Sequence, residues 1–215
     1  KAAKCHSIFS RLASNTYGLR SNVCSKVYLA AVEPSLLYAS QVWDEVISSR
    51  SWARAALEKV QRSFLLRVCK AYRSVSFDTL CIISNIPPIT EKILLTIELH
   101  RLKSHRLTAT LRPTLSEVKA KLHEEMLRRW NERWTASTKG ACTRFFFPTV
   151  NSRRAAVFLN TNFITTQFLS GHGKFNSYLS HRSIRATDRC RCGAIQDSIH
   201  LIFHCPDTRD LIDST

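Results

Sequence analysis

Three cysteines and one histidine near the end of the chain have the spacing of a metal site. They occur within sixteen residues as Cys190-x-Cys192-x7-His200-x4-Cys205. Thiolate sulfur and imidazole nitrogen are the ligands of structural zinc, and a closed shell of four such ligands leaves no position for a reactive water. The pattern therefore predicts a structural Zn²⁺ site, in which the metal holds a small module together and does not catalyse a reaction.

The spacing leaves the ligand set open in two respects. Only Arg191 separates the first two cysteines, whereas paired zinc thiolates usually have a longer spacer. His204 is an alternative ligand, and ordinary cysteines beside two unrelated histidines would give the same pattern. Gly193 favours the zinc interpretation because glycine permits a tight turn after the second cysteine. Pro206 favours it as well, because proline ends the ligand segment.

The charge of the chain favours a polyanionic partner. Its net charge is +16 over 215 residues, and the stretch 133–187 contains eight basic residues and no Asp or Glu. Carboxylate acid–base chemistry and two-metal phosphoryl transfer both need acids, so neither can be centred in that stretch. A clustered basic surplus attracts nucleic acid or, less often, anionic membrane. A merely soluble basic surface is the alternative.

We therefore expect basic side chains of this stretch and of the cysteine module to contact RNA or DNA. Trp130 and Trp134 are one helical turn apart beside two of them, where they would stack on bases, although such stripes usually belong to a core. His172, between two glycines, is either a phosphate contact or a structural turn residue. The candidate nucleic-acid contacts are Arg129, Arg133, Arg144, Arg153, Arg154, Lys174, Arg182, Arg185, Arg189 and Arg191.

The elements that position these residues are predicted to be helices. Pro34 predicts a kink or a break, Ser76 is expected to cap a short helix that ends at Ser84, and Gly171 is expected to end a helical segment that begins near Arg153. Residues 136–149 have few helical signals and are interpreted as a linker or hinge. Apolar residues at three- and four-residue steps, together with turn and cap signals, predict helices over 2–14, 22–47, 52–72, 90–111, 115–135 and 175–181.

The predicted fold class is mainly α, with a helical body followed by a small zinc-knuckle module. No apolar run approaches the length of a membrane span, and no secretory segment is visible, so we expect a soluble protein in a reducing compartment. The only methionine is Met126, and the chain opens on Lys1, so we expect a piece of a longer polypeptide. No glycine-rich phosphate-binding motif is present.

Four segments, in the same order along the chain, resemble those of a known family. They are Tyr28 to Trp43, Gln61-Arg62 with Ala71-Tyr72-Arg73-Ser74-Val75-Ser76, Thr166-Gln167-Phe168-Leu169-Ser170-Gly171-His172-Gly173, and the cysteine–histidine cluster. They are similar to the segment downstream of the polymerase palm, the "QR…aYRTvS" stretch, the "TQ-x-L-T-G-H-G" box and the closing cysteine–histidine motif of non-LTR retrotransposon reverse transcriptases. The resemblance runs from about Gly18 to Pro206 and is closest in kind to insect type-1 elements that insert into ribosomal RNA genes.

This resemblance implies a parent polyprotein with an N-terminal endonuclease and a central RNA-directed DNA polymerase, which nicks target DNA and primes reverse transcription from the nick. The polymerase's Tyr-x-Asp-Asp box does not occur in this sequence. We therefore expect a segment without catalytic residues, and Mg²⁺ would serve only the polymerase and endonuclease parts. The implied partners are template RNA, target DNA and the upstream polymerase domain in cis, with no membrane, and the implied site of action is the nucleus.

The resemblance also implies a division of the chain. Thumb-like and adjoining helices would occupy 1–111, a long basic helix and linker 112–149, a helical basic segment with the Gly-His-Gly turn 150–187, and the zinc knuckle and tail 188–215. The main alternative is a free-standing, element-derived, zinc-stabilised DNA- or RNA-binding protein. A helical scaffold for acidic proteins is a further alternative, and an independent enzyme is least favoured because the chain lacks catalytic motifs.

Overall fold

The computed structural model describes residues 9, 11, 13, 18–38, 40, 44–105 and 114–213, which form a mainly helical fold with no extended strand among them. The prediction of a mainly α protein is therefore confirmed. Two π-helical turns occupy Tyr28–Val32 and His200–His204. The helices are α1 (Ser21–Val27), α2 (Glu33–Leu37), α3 (Asp44–Ser49), α4 (Ser51–Val68), α5 (Phe77–Ser84), α6 (Ile89–His105), α7 (Leu115–Ala136), α8 (Ala141–Phe146), α9 (Val150–Ala155), α10 (Phe163–Ser170), α11 (Asn176–His181) and α12 (Pro206–Asp213).

The helical path at Pro34 continues through a locally wider turn. Proline lacks an N–H and crowds the carbonyl four residues earlier, so it distorts a regular α-helix. The π-helical turn Tyr28–Val32 joins α1 to α2 and ends two residues before Pro34. In that turn the N–H of Glu33 bonds to the carbonyl of Tyr28. The predicted distortion is thus present, as a widened turn between two short helices.

Helix α4 ends four residues earlier than its apolar pattern predicts. Lys70 has a left-handed backbone with φ of 53°, and the N–H of Ala71 bonds to the carbonyl of Leu66 at 2.9 Å. This is the hydrogen bond of a Schellman cap, a position that glycine usually occupies. Because lysine gives no such signal, the sequence did not predict the end of the helix. The early end frees a loop, residues 69–76, which carries the Ala-Tyr-Arg-Ser segment.

The expectation of a linker over 136–149 was wrong. Gly140, with φ of 78°, starts α8 inside this segment, and the indole N–H of Trp134 bonds to the carbonyl of Phe147 at 2.8 Å. Trp134 is fully buried and Trp130 is 2% exposed, so neither ring is free to stack on a base. The core interpretation of the tryptophan stripe is correct. The segment packs against the helical body because the buried tryptophans of α7 provide an apolar surface for it.

One cluster of buried side chains runs through most of the body. It draws residues from α1, α4, α5, α7, α9 and α10, so helices far apart in sequence share one apolar interior. The division into four functional segments stays a prediction. The buried members are Phe9, Ala13, Cys24, Tyr28, Val32, Phe64, Leu65, Val68, Cys69, Ala71, Val75, Leu80, Cys81, Ile82, Ile83, Ile86, Trp130, Trp134, Phe147, Val150 and Leu169.

Two predicted helices extend beyond the described residues. Most of 2–14 lies outside them, as does the end of the helix predicted for 90–111, whose described part is α6. No single described helix is long and apolar enough to cross a membrane. The pair α5 and α6 passes that test of length and composition only together, with a bend of 68° between the two helices.

Arg133 joins α7 to two other helices. Its guanidinium bonds to Glu58 of α4 at 2.5 Å and to Asp78 of α5 at 2.7 Å. Burial lowers the pKa of Arg133, but the hydrogen bonds and charges of Glu58 and Asp78 outweigh burial and raise that pKa overall. The three side chains are 20–30% exposed, so water screens this network only in part. The network fixes the position of α7 over α4 and α5.

We expect Arg133→Gln to lower the free energy of unfolding by about 1–3 kcal/mol, because two half-buried carboxylates lose their cation. The matched control is Arg128→Gln on the same helix, where Arg128 pairs with Glu125 and Glu132 of α7 itself and is 56% exposed. Exposed pairs contribute little, so this control should unfold like the unchanged chain. Urea unfolding at pH 7 measures both, and equal losses for the two variants would contradict the interhelical role.

Candidate metal centre and nucleic-acid interface

The four predicted zinc ligands converge in space. The ligand atoms of Cys190, Cys192, His200 and Cys205 all lie within 4.8 Å of one another. The Sγ atoms of Cys190 and Cys205 are 3.6 Å apart, and Sγ of Cys192 is 3.2 Å from Nε2 of His200. Tetrahedral bonds of about 2.0–2.3 Å to zinc separate the ligand atoms by about 3.3–3.8 Å. The donor types and their separations therefore fit a zinc ion.

A tight hairpin turn makes the one-residue spacer compatible with this geometry. The N–H of Cys190 bonds to the carbonyl of Ala194 at 2.8 Å, and the N–H of Gly193 bonds to the carbonyl of Cys190 at 3.0 Å. Gly193 has φ of 90°, which side-chain-bearing residues rarely adopt. Arg189 and Ile195 pair as an antiparallel bridge across the turn. Two cysteines thus project from one hairpin despite the short spacer.

The other two ligands lie at the two ends of the second π-helical turn, His200 as its first residue and Cys205 directly after its last. His200 is 8% exposed, and its backbone N–H bonds to Oδ1 of Asp197 at 2.7 Å. The N–H of Cys205 bonds to the carbonyl of His200 at 2.8 Å, which closes the turn. His204 is exposed and lies outside the cluster, so the histidine brought to the site is His200. Pro206 does end the ligand segment, and it also begins α12, since the first helical position tolerates proline.

Asn176 and Gln196 attach the cysteine module to α11. The side-chain N–H of Asn176 bonds to the carbonyl of Arg189 at 2.7 Å, and its backbone N–H bonds to the side-chain carbonyl of Gln196 at 3.2 Å. The amide N–H of Gln196 lies 3.8 Å from Sγ of Cys190 and so orients a ligand from outside the cluster. An asparagine and a glutamine twenty residues apart carry no spacing signal, so the sequence alone does not identify either residue as part of the site.

A second contact joins the module to α8. The Sγ atom of Cys142 lies 3.1 Å from Oγ of buried Ser198. The ring of Phe203 packs against Phe145 and Phe146, with centroids 5.8 and 6.2 Å away. These contacts cover part of the apolar side of a module that is too small to build its own core, although Phe145 and Phe203 each stay about half exposed.

The two hairpin cysteines differ in acidity. The backbone N–H of Cys192, and then the side chain of His200, stabilise the thiolate of Cys190 and lower its pKa to about 6. The pKa of Cys192 is raised: the N–H of Ala194 lowers it, but desolvation and the neighbouring Cys190 together outweigh that effect. A zinc ligand must be a thiolate, so Cys190 is prepared for metal at neutral pH.

Four of the ten candidate nucleic-acid contacts point into the fold. Arg129 pairs with Glu91 at 2.9 Å, and Arg133 holds the network described above. Arg144 lies 4.9 Å from the ring of Trp134 and donates to backbone carbonyls at the end of α7. Arg153 is 5% exposed and donates to the carbonyl of Ile83, so its assignment as a nucleic-acid contact was wrong. Ion pairs and helix-end carbonyls, which sequence does not reveal, occupy these guanidinium groups.

The other six candidates are exposed, and five of them surround α11 and the cysteine module. Arg185 donates to the side chain of Asn176 at 2.7 Å, and Arg191 is 91% exposed with a 3.4 Å ion pair to Asp207. The guanidinium of Arg182 lies 5.6 Å from the ring of Tyr178. This surface carries more cations than acids and fits an anionic polymer. The six exposed candidates are Arg154, Lys174, Arg182, Arg185, Arg189 and Arg191.

His172 of the Gly-His-Gly turn is held by side chains from a distant loop. Its Nδ1 lies 2.8 Å from Oγ of Ser74, which is also 2.8 Å from the hydroxyl of Tyr178. Desolvation by burial, followed by the charge of Arg182, lowers the pKa of His172. The imidazole is therefore neutral at pH 7 and has a structural hydrogen bond, which favours the turn interpretation over a phosphate contact.

Curated retrotransposon proteins match nearly the whole chain. A Pol polyprotein from type-1 retrotransposable element R1 4 of Nasonia vitripennis is 27% identical over 205 residues, 91% of this chain. The putative 115 kDa protein of element R1DM from Drosophila melanogaster is 26% identical over 95% of the chain. This chain is related to R1 retrotransposon Pol polyproteins. The resemblance to insect type-1 elements is confirmed.

The R1-related chain spans about half the length of the Nasonia relative, 52%, and 21% of the Drosophila one. An R1 Pol polyprotein of Bradysia coprophila is 35% identical over 99 residues, 46% of this chain. No protein-family model and no solved structure matches the chain.

We expect one equivalent of zinc in the purified R1-related chain. His200→Ala and Cys192→Ser should each abolish stoichiometric zinc, because a three-ligand site loses most of its affinity. His204→Ala is the matched control and should keep the metal, since His204 lies outside the cluster. Elemental analysis by mass spectrometry measures the metal, and zinc retained by His200→Ala but lost by His204→Ala would show that the ligand assignment is wrong.

After chelation of metal, Cys190 should be the most reactive of the described cysteines. Its pKa of about 6 makes it a thiolate at pH 7, whereas burial raises the pKa of Cys142 and of Cys69, to about 12 for Cys69. Alkylation of Cys190 should slow as the pH falls through about 6, and added zinc should protect it. Peptide mass spectrometry reads each site, and alkylation of Cys142 before Cys190 would contradict the assignment.

Proposed function

We propose that this chain is a nucleic-acid-binding part, without catalytic residues of its own, of a retrotransposon Pol polyprotein. In this role it holds template RNA and target DNA during target-primed reverse transcription, beside an upstream polymerase domain in cis. The polymerase and endonuclease chemistry, with its Mg²⁺, belongs to the parent polyprotein, and the site of action is the nucleus. The relationship to R1 Pol polyproteins supports the retrotransposon origin.

The observation that carries this proposal is a zinc-type cluster surrounded by exposed cations. Cys190, Cys192, His200 and Cys205 form the cluster. Five exposed basic residues lie just before α11, on the segment after it and on the hairpin itself: Lys174, Arg182, Arg185, Arg189 and Arg191. A structural zinc ion there would fix the hairpin and hold these cations at set positions, where they would meet the regularly spaced phosphates of a polynucleotide.

Salt-dependent binding to nucleic acid tests the proposal. If four exposed cations contact phosphates, affinity for duplex DNA should fall about 10²-fold between 50 and 200 mM salt, because each contact adds about 0.9 to the slope of log affinity against log salt. His200→Ala, which disorders the hairpin, should weaken binding about tenfold at low salt, whereas His204→Ala should bind like the unchanged chain.

Fluorescence anisotropy with a single-stranded RNA and a duplex DNA, each at low and high salt, measures these affinities. Absence of binding to both, or binding that salt does not weaken, would contradict the proposal and favour a helical scaffold. Circular dichroism of each variant separates a lost contact from a lost fold.

A further inference from the structure

An open groove crosses the loop 69–76 between α4 and α11. It consists of two adjoining hollows of about 480 and 560 Å³, and Arg73 lines both. In the part of the chain that the structure describes, neither hollow is lined by Asp or Glu. We call this surface the basic groove, defined by its six cations Lys59, Arg62, Arg67, Arg73, Lys174 and Arg182.

No ion pair between described residues neutralises a charge of the basic groove. Among the residues that the structure describes, arginines such as Arg129 and Arg133 form ion pairs with carboxylates. No such ion pair includes a cation of the groove. Arg62 donates to two backbone carbonyls, which leaves its charge in place. Six positive charges around one concave surface focus the field there and attract a polyanion.

Aromatic rings form the floor of the second hollow. The ring of Tyr178 lies 5.0 Å from that of His172 and 6.4 Å from that of Tyr72, and the guanidinium of Arg182 lies 5.6 Å from it. Tyr72 and Tyr178 are half-buried, so one part of each ring faces the groove. A basic groove with aromatic rings in its floor is the arrangement on which single-stranded nucleic acids lie, with phosphates on the cations and bases on the rings.

The loop that carries Arg73 is fixed before any ligand binds. Arg62 donates to the carbonyls of Arg73 and Val75 at 2.5 and 3.0 Å, and Ser74 bonds to His172 and Tyr178. On the other side, a Cβ at Gly173 would lie 2.8 Å from Cβ of Gln167, so glycine gives the room that this close approach needs where the chain turns toward Lys174. A preformed site loses less entropy on binding than a flexible one.

We propose that the basic groove binds a single-stranded segment of RNA or DNA. This inference rests on the proposed function in that the chain binds nucleic acid, and it adds a second surface, which shares Lys174 and Arg182 with the surface around the cysteine module and extends across α4 and the loop 69–76, with a preference for unpaired strands. Bases in a duplex are stacked on each other and cannot reach the tyrosine rings, whereas unpaired bases can. Ribose and deoxyribose strands share this backbone and base chemistry, so the experiment compares the two.

The decisive variant removes two exposed cations that belong to the groove alone, as Lys59→Gln with Arg73→Gln. Its matched control, Lys119→Gln with Lys121→Gln, removes the same charge from exposed positions of α7 outside the groove. The groove variant should lose about tenfold in affinity for single-stranded oligonucleotides, and its salt slope should fall by about 1.4, since each single-strand contact contributes about 0.7. The control should bind like the unchanged chain.

A second pair of variants tests the role of the Tyr178 ring in the floor of the groove. Tyr178→Leu removes the ring and should weaken single-strand binding about tenfold, a typical loss for one stacking contact. Tyr178→Phe keeps the ring, loses only the hydroxyl that bonds to Ser74, and should restore most of the affinity. Thermal unfolding followed by circular dichroism must show both variants folded at the assay temperature, which separates lost stacking from lost structure.

The 215-residue chain is measured by anisotropy against single-stranded RNA, single-stranded DNA and duplex DNA. The inference is supported if the groove variant, but not the control, loses affinity for single-stranded RNA, single-stranded DNA or both. The strand whose affinity falls is then the ligand. Equal binding by groove variant and control, while the unchanged chain binds, overturns the inference and leaves the proposed function standing. A loss confined to duplex DNA also overturns it, and no binding by the unchanged chain refutes the proposed function itself.

Discussion

Buried helix ends need hydrogen-bond partners, and in this chain side chains from distant helices provide them. Short helices leave many carbonyls unpaired at their C-terminal ends, and burying such a group without a partner costs about as much as a lost hydrogen bond. The carbonyls lie at the ends of α4, α5, α10 and α7. The pairs are Thr166 with Cys69, Arg153 with Ile83, Thr143 with Leu169, and Arg144 with Trp134 and Ser137. These bonds set where α8, α9 and α10 sit against the first helices.

The need to pair buried carbonyls and carboxylates divides the basic residues into two groups, one in the interior and one on the surface. Arg144 and Arg153 satisfy carbonyls, and Arg129 and Arg133 satisfy carboxylates, so four cations of an acid-poor region serve the interior. The net charge of +16 therefore overstates how many cations a ligand meets. The exposed cations that remain include one group around α11 and the cysteine hairpin and another along α4 and the loop after it, and clustered cations of this kind attract polyanions.

Helix α11 connects the two surfaces proposed to contact nucleic acid. Its first residue, Asn176, holds the hairpin through the carbonyl of Arg189, and two residues later Tyr178 faces the basic groove. One turn of helix thus orients both a zinc-type cluster and an aromatic floor. Ser74 completes the arrangement, because it brings the Tyr-Arg-Ser loop onto the Gly-His-Gly turn, two segments about a hundred residues apart.

The sequence alone determined the mainly helical class, the four clustered zinc-type ligands, the cap at Ser76 and the relationship to R1 elements, because periodicity, spacing and cap chemistry are local. It did not determine the end of α4 at Val68 before a left-handed Lys70, the helix inside 136–149 or the burial of Arg153. The basic groove is also tertiary, since the face of α4 is visible in the sequence but its juxtaposition with Arg73, Lys174 and Tyr178 is not. The left-handed backbone of Lys70 and the hydrogen bond from Arg153 to the carbonyl of Ile83 depend on contacts between residues far apart in the chain. Only the packing of the helices decides which of those contacts form.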